Sequence, residues 1–355
     1  MQVLSALSSI PRKAVRHMKP PPILVTGATG FTGGYLVRAL AKTGAPIRVI
    51  VRSAAKASAL LPDVEIVEAD LTNAAAVSNA VKNVGTIYHL AAAYREASHR
   101  EDGYRQVNVE ATRNLLDAAV THGVERFVHC STVGVLGHVA NPPADETTPY
   151  APGDPYQRTK CEAEMLALRY GREHGVPVTV ARPTAIYGPG DQRLLKMFRM
   201  IANGRFVMLG RGEIYYHMVF IDDLIYGLRL LGEHPGAQGE VFIIGGEQYY
   251  RLDAIAAMVA DQLGVARPHW RIPAWPVQMA GSLCEKMCVP FGIEPPIYRR
   301  RVDFFTKSRA FSIAKARQIL GYEPHVSLEV GLRRTLNWCI RTGHIALGTA
   351  IAAVP

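Results

Sequence analysis

Short apolar runs alternate with amphipathic stretches through the first half of the chain. Ile23–Thr26, Pro46–Val51, Val64–Val67, Thr86–Leu90, Arg126–Cys130 and Val178–Ala181 are brief and rich in β-branched or apolar residues, as strands buried on both faces are. Between them lie helix-like patterns: one after Gly33 with Leu36, Val37 and Leu40 on one face, then Ala74–Val81, Tyr104–Thr121 and Asp154–His174. Strands alternating with helices at this spacing predict an α/β fold built on a doubly wound parallel sheet. Beyond Arg182 the rhythm loosens. Asp191–Asn203, Asp222–Leu231, Leu252–Leu263, Pro276–Cys288, Ile313–Leu320 and Leu328–Arg341 read as helices, and Tyr216–Ile221 and Val241–Ile244 as extended segments. The expected organisation is an N-terminal extension over 1–22 and a nucleotide-binding domain over 23–183, with segments near 217–246 returning to its sheet. A smaller substrate lobe is expected from 184–216 and 247–345, followed by a tail over 346–355.

Gly27-Ala28-Thr29-Gly30-Phe31-Thr32-Gly33 stands where the first strand meets the first helix. A tight strand-to-helix turn of this kind lets backbone amides approach a pyrophosphate at a helix N-terminus. Gly27 permits the turn, Gly30 lets phosphates come close and Gly33 lets helix and strand pack. The flanking strand and helix make this a dinucleotide-binding turn of a Rossmann-type fold rather than an ordinary loop. Its candidate contacts are Gly27, Thr29, Gly30, Phe31, Thr32 and Gly33.

An acid at the end of the second strand would select NAD through the ribose 2′-hydroxyl. No acidic residue occurs between Ile23 and Pro62, and the second strand ends instead in Arg52-Ser53, with Lys56 one turn on. A guanidinium there suits a 2′-phosphate. NADP(H) is therefore expected ahead of NAD(H), although Arg52 stacking on adenine would serve either. Asp70 and Leu71 are placed for the adenine edge, and Ala91 and Ala92 allow close approach of the cofactor.

Composition narrows the class. The chain is 48% hydrophobic and 20% charged, as a soluble globular protein is. Its formal charge of +10 is not gathered into a basic run interleaved with aromatics, which argues against nucleic acid. The five cysteines are too scattered for a zinc site or a disulfide scaffold, so no metal is expected and a reduced, cytoplasmic compartment is. In residues 1–22 the charges follow the apolar run Val3–Leu7, the wrong order for a secretory signal, and Met18 offers an alternative start. No run is long enough to span a bilayer, so membrane contact is expected to be peripheral at most.

Candidate chemistry lies in Tyr156-Gln157-Arg158-Thr159-Lys160, where a phenol and an ammonium stand four apart on one helix face. A free tyrosine, with a pKa near ~10, is a poor acid–base group at neutral pH. A cation beside it favours the phenolate, which could then exchange a proton with a substrate hydroxyl or carbonyl. Two exposed residues on an amphipathic helix would show the same spacing. Position argues for a site, because the motif follows Ser131-Thr132 at the end of the fifth strand, the sheet edge where ligands bind.

With these motifs in order, the chain resembles the extended short-chain dehydrogenase/reductase superfamily, including its NAD-dependent epimerase/dehydratase group, from about Pro22 to His344. The marks are TGATGFTG at 26–33, ADL at 69–71, YHLAA at 88–92, VNVEATRNLL at 107–116, CSTVGVLG at 130–137, YQRTK at 156–160 and RPTAIYGPG at 182–190. The resemblance implies that Tyr156 is the acid–base residue and that Lys160 lowers its pKa and holds the nicotinamide ribose. It implies that Thr132 hydrogen-bonds the reacting oxygen with Ser131 as neighbour, and that Asn108 matches the motif asparagine of the catalytic set, in a structural more than a directly catalytic role. Pro183 and Tyr187 would flank the nicotinamide. A homodimer is the habit of the family.

Departures from the family pattern narrow the substrate. Val133-Gly134 stand where dehydratases carry an Asp-Glu pair. Tyr216 and Phe220 replace the diphosphate-binding arginine and the histidine of sugar-nucleotide enzymes, with Arg193, Arg205 and Arg211 as the candidates to compensate. Pro295–Arg301, Phe304–Lys307 and Ala314–Pro324 look like the 3β-hydroxysteroid dehydrogenase and sterol-4α-carboxylate 3-dehydrogenase branch. Ile272–Gly292 is apolar enough for one wall of a greasy pocket or for ordinary lobe core. Tyr94, Val133, Tyr187, Tyr216 and Phe220 are the candidate substrate contacts. Three functions stay open: an alcohol/ketone oxidoreductase on a bulky apolar, sterol-like small molecule, a nucleotide-sugar 4-epimerase, and a non-catalytic NADP-sensing protein.

Overall fold

A computed structural model of the chain describes residues 20–57, 64–94, 101–288 and 305–346. The expectations for residues 1–19, for the tail from 347, for the Lys56 side chain and for the Pro295–Arg301 motif lie outside the described residues.

Strands β1 (Ile23–Thr26), β2 (Ile47–Val51), β3 (Glu65–Glu68), β4 (Thr86–His89), β5 (Arg126–Cys130) and β6 (Val178–Pro183) form the main sheet with β10 (Val241–Ile244). Their order is β10-β6-β5-β4-β1-β2-β3, and every pairing is parallel. The order reverses between β1 and β4, the topological switch point where such sheets bind ligands.

Alternation along each strand divides the core between the two faces of this sheet. Leu24, Ile87 and Phe127 point to one face with Val77 and Val81 of α3 (Ala74–Val81), Leu115 and Leu116 of α5 (Ala111–His122) and Leu166 of α6 (Pro155–His174). Val25, Val49 and Val128 point to the other, with Leu36 and Leu40 of α1 (Phe31–Ala41) and Leu224 and Leu228 of α8 (Ile221–Glu233). That second layer continues into the C-terminal third through Phe198, Ile255 and Leu332.

The helix expected over Tyr104–Thr121 is interrupted. A short turn α4 (Glu101–Arg105) leads into a π-helical stretch, Gln106–Glu110, before α5 begins. Such stretches accommodate a side chain that a regular helix would misplace. Here that side chain is Asn108, buried at 1% exposure.

The remaining strands are short. β7 (Ala185–Tyr187), β9 (Tyr215–Phe220) and β11 (Tyr249–Arg251) make a three-stranded sheet, and β8 (Met208–Leu209) pairs with β12 (Arg271–Ile272). The helix expected over Asp191–Asn203 is only α7 (Leu195–Ala202), because the buried Asp191 instead holds the backbone and side chain of Arg193 in a turn. α2 (Ala54–Ala57), α9 (Leu252–Leu263), α10 (Ala274–Cys288) and two helices, Ala314–Leu320 and Leu328–Arg341, complete the described elements. Among the described residues, no helix is long and apolar enough to cross a membrane.

Candidate active site

The glycine turn is as tight as its sequence demands. Gly27 has φ +71°, and a Cβ on it would lie 2.8 Å from the Ala91 amide nitrogen. A Cβ on Gly33 would sit 2.1 Å from the Gly27 carbonyl, and one on Gly30 would sit 3.2 Å from it. Gly30 caps α1 without a side chain, which leaves first-turn amides for an anion. Side chains at these positions would fill the cradle that a pyrophosphate needs, so the residues present fit a dinucleotide. Thr26 Oγ1 accepts from the Ala91 amide at 3.2 Å and bonds His89 Nδ1 at 2.8 Å, locking the ends of β1 and β4 together beside Ala91 and Ala92.

The turn is also fastened to the loop before α7. Tyr35 donates to the Pro189 carbonyl at 2.8 Å, and the Arg193 guanidinium lies 5.5 Å from the Phe31 ring centre. Arg193 in turn donates to Asp191 at 2.6 Å and to the Ile186 carbonyl at 2.9 Å. It therefore stands next to the glycine turn. Arg205, in contrast, lines a separate open groove of about 460 Å³ with Lys196 and Arg199, and the Arg211 carbonyl accepts from Arg271.

Arg52 is exposed at the end of β2, where the cofactor's 2′ position is expected. Its surroundings hold an acid that the sequence order concealed. Glu68 ends β3, pairs in register with Val51, and accepts the Ala54 amide at 2.9 Å. The acid comes from the neighbouring strand rather than from β2 itself. Asp70 closes its own turn by accepting from the Thr72 amide and hydroxyl at 2.8 and 2.7 Å. Those two bonds, with help from Arg52, hold its carboxyl below the ordinary aspartate value. The Leu71 carbonyl is taken by Asn114.

Helix α6 presents the phenol and the ammonium. Asp154 caps it by accepting the Gln157 amide at 2.8 Å, Pro155 occupies the first turn, and Gly175 ends it in a left-handed conformation. Lys160 is 2% exposed and its Nζ donates to the Cys130 carbonyl at 2.6 Å, at the very end of β5. Burial pushes its pKa down, and Cys130 and Glu164 counter that. Tyr156 is half-buried, with the Tyr94 ring edge-on at 4.9 Å.

Thr132 follows Ser131 at the same strand end, and its Oγ1 accepts the Gly134 amide at 3.1 Å, opening a 3-10 turn over Val133–Leu136. A Cβ on Gly134 would lie 3.3 Å from both Gln157 Cγ and Thr132 Oγ1. Glycine thus lets the Thr132 turn touch the first turn of α6. Tyr156, Lys160, Thr132 and Ser131 are brought to one edge of the sheet.

Asn108 is tied into the same region. It accepts the Ala93 amide at 2.8 Å and donates to Thr159 Oγ1 at 3.0 Å, linking the loop after β4 to α6. Under the sheet edge, His89 is held between Thr26 and Thr112, and burial, with Lys160 second, pushes its pKa down to about 3. His129 is fully buried 5.5 Å away, and neither ring nitrogen has a hydrogen-bond partner among the described residues. Burial holds it neutral as well.

The expected substrate contacts separate. Tyr94 and Val133 lie beside Tyr156 and Thr132. Tyr187 and Phe220 do not offer their rings to a ligand: they are 1% and 2% exposed and pack edge-to-face at 5.5 Å in the core. The helix Leu328–Arg341 closes over them, bringing Gly331 so near that a Cβ would lie 2.1 Å from Tyr187 Oη. A cavity of about 20 Å³, room for a single water, adjoins this pair. Tyr216 is half-buried, between Tyr250 and Arg309. Pro183 ends the buried β6. Trp275, Met279, Leu283 and Met287, one face of α10, are each more than 60% exposed, so they are neither lobe core nor the wall of a closed pocket.

Comparison with known proteins matches residues 23–245 to the NAD dependent epimerase/dehydratase family. A 3-beta-hydroxysteroid dehydrogenase of Mycolicibacterium neoaurum is 33% identical over 330 residues, 88% of this chain and 90% of that protein. A dTDP-glucose 4,6-dehydratase of Streptomyces antibioticus is 29% identical over 333 residues, 89% of this chain and 91% of that one. The crystal structure of gox2253 superposes with a TM-score of 0.78 at 31% identity, over 92% of this chain and all of that one.

Proposed function

Since the chain belongs to the NAD dependent epimerase/dehydratase family, we propose that it is an NADP(H)-preferring oxidoreductase interconverting a secondary alcohol and a ketone on a bulky apolar, 3β-hydroxysteroid-like substrate. One observation carries the chemistry: a buried ammonium, Lys160, bonded to the end of β5 on the same face of α6 as Tyr156, with the Thr132 turn against that helix. The bound nicotinamide supplies the hydride acceptor or donor. The chain's own part is positional and protonic. Gly27, Gly30 and Gly33 make room for the pyrophosphate and Arg52 offers charge to a 2′-phosphate. Lys160 favours the Tyr156 phenolate. Tyr156 Oη then takes the hydroxyl proton during oxidation, or returns it to the carbonyl oxygen during reduction, while Thr132 Oγ1 hydrogen-bonds that oxygen.

Val133-Gly134 beside Thr132 supply no acid–base pair for eliminating water, which speaks against dehydration. An apolar substrate is supported by the Tyr94 ring, edge-on to Tyr156, and by the likeness to a steroid dehydrogenase. A nucleotide-sugar 4-epimerase is the second reading. It is favoured by Arg193 beside the glycine turn.

A panel of 3β-hydroxysteroids, their ketones and UDP-hexoses, each with both cofactors, separates the two. The expected result is steroid oxidation or reduction with NADP(H) and inert UDP-hexoses. With a 4-carboxylate on the ring, oxidation at C3 gives a β-keto acid that loses CO2 unaided. Interconversion of UDP-hexoses with inert steroids overturns the proposal in favour of the epimerase.

A further inference from the structure

Behind the proposed catalytic edge lies a buried ion pair that the mechanism above does not use. Glu164 sits on α6, four residues beyond Lys160 and eight beyond Tyr156, so the three share a helix face. Its side chain is 0% exposed and that of Arg182, on β6, is 3%. One carboxylate oxygen accepts from Arg182 Nε at 3.0 Å and Nη2 at 2.6 Å, and from Tyr150 Oη at 2.9 Å. The other accepts from Ser131 Oγ at 2.5 Å. The Arg182 guanidinium lies 5.0 Å from the Tyr150 ring centre, and its Nη1 reaches the Glu146 carbonyl at 3.3 Å.

Two partners of Glu164 adjoin parts of the site. Ser131 precedes Thr132 and follows Cys130, whose carbonyl holds Lys160; Arg182 precedes Pro183. A buried pair of this kind gains little stability over apolar residues of the same volume. Its geometric consequence is larger than its energetic one, because a single carboxylate ties α6, the end of β5 and β6 together.

We propose that Glu164 is a positioning residue for the chemistry assigned to Tyr156: it fixes the Ser131–Thr132 strand end, and with it the neighbouring Cys130 carbonyl that holds Lys160, against α6. The proposal rests on Tyr156 and Lys160 being the working pair. The titratable groups around Lys160 are His89 on β4, His129 and Cys130 on β5, and Tyr156 and Glu164 on its own helix; Glu164 is the carboxylate among them. Arg182 and Tyr150 face Glu164 from β6 and the preceding loop. Loss of this tie frees the strand end whose Cys130 carbonyl holds the Lys160 ammonium, and an ammonium out of place favours the Tyr156 phenolate less.

The test needs no substrate. The ionisation of Tyr156 is read as the near-ultraviolet phenolate absorbance that disappears in Tyr156→Phe, in three backgrounds. Glu164→Gln leaves Arg182 without its counter-charge and risks the fold. Glu164→Leu with Arg182→Met replaces the whole pair by apolar volume and is expected to fold. In that double variant Tyr156 should titrate about half to one pH unit higher than in wild type, a roughly three- to ten-fold smaller phenolate fraction below the midpoint. Ser131→Ala cuts only the link to the strand end, keeps the ion pair, and should move the titration in the same direction. An unchanged titration in a folded double variant, or in Ser131→Ala if the other variants do not fold, overturns the proposal. Inert steroids together with a shifted titration would sink the substrate reading and leave this inference standing.

Discussion

At the residue scale, two features carry most of the geometry: the glycines that let β1 meet α1, and the Tyr156–Lys160 pair on α6. Gly27 and Gly33 announce a close approach, and the structure brings the Gly27 carbonyl to 2.1 Å from a Cβ at 33. Tyr156 and Lys160 declare a shared face by spacing alone. Glu68 was hidden because it reaches the cofactor end of β2 through strand register. Tyr187 and Phe220 were misplaced because their burial is decided by Gly331, far along the chain. Glu68 sharpens the cofactor prediction. Arg52→Ala should weaken NADPH by roughly ten-fold or more and NADH far less, since a charge-assisted contact is lost with the 2′-phosphate alone. Glu68→Gln should do the reverse, tightening NADPH relative to NADH by roughly two- to five-fold through removal of an exposed like charge. Titrations of nicotinamide fluorescence check both, and equal effects on the two cofactors would refute the assignment.

Among elements, α6 was read almost to the residue because its Asp154-Pro155 start and Gly175 end are local signals. The long helix before it was not, since the π-helical stretch around Asn108 answers to contacts with Ala93 and Thr159. Helix α10 was recognised as apolar, but periodicity does not say what an apolar face meets. Its Met279 and Leu283 are 66% and 61% exposed. Met279→Ser and Leu283→Ser should therefore leave stability within about 0.5 kcal/mol of wild type, as surface changes do. If the exposed face receives the substrate, the same variants raise KM for steroid-like compounds while leaving NADPH binding unchanged. A large fall in melting temperature would show that the face is packed in solution.

For the whole molecule, the alternation of strands and helices sufficed for the parallel sheet; in the small sheet β9 reads as extended from the sequence, whereas β7 and β11 escape because three-residue strands carry no period. The buried histidines give the assembled fold a pH dependence. His89, with a pKa pushed down to about 3, and His129, held neutral by burial, bind protons in the unfolded chain below about pH 6.5 but not in the folded one. Stability from these groups is thus full above that pH and lost as pH falls. Glu146 and Asp223, raised by burial, act in the opposite sense, so the histidine contribution is read by difference. His129→Leu should be at least as stable as wild type at pH 7 and lose less stability on acidification toward pH 5 in chemical denaturation. Parallel pH profiles for the two proteins would contradict this. The most direct measurement for the account as a whole is turnover by Tyr156→Phe on the compound that wild type uses best, beside its NADPH affinity. The expected result is a fall of at least ~100-fold in kcat with cofactor binding within about two-fold of wild type, because only the exchangeable proton is removed. Near-wild-type turnover by the phenylalanine variant would contradict it.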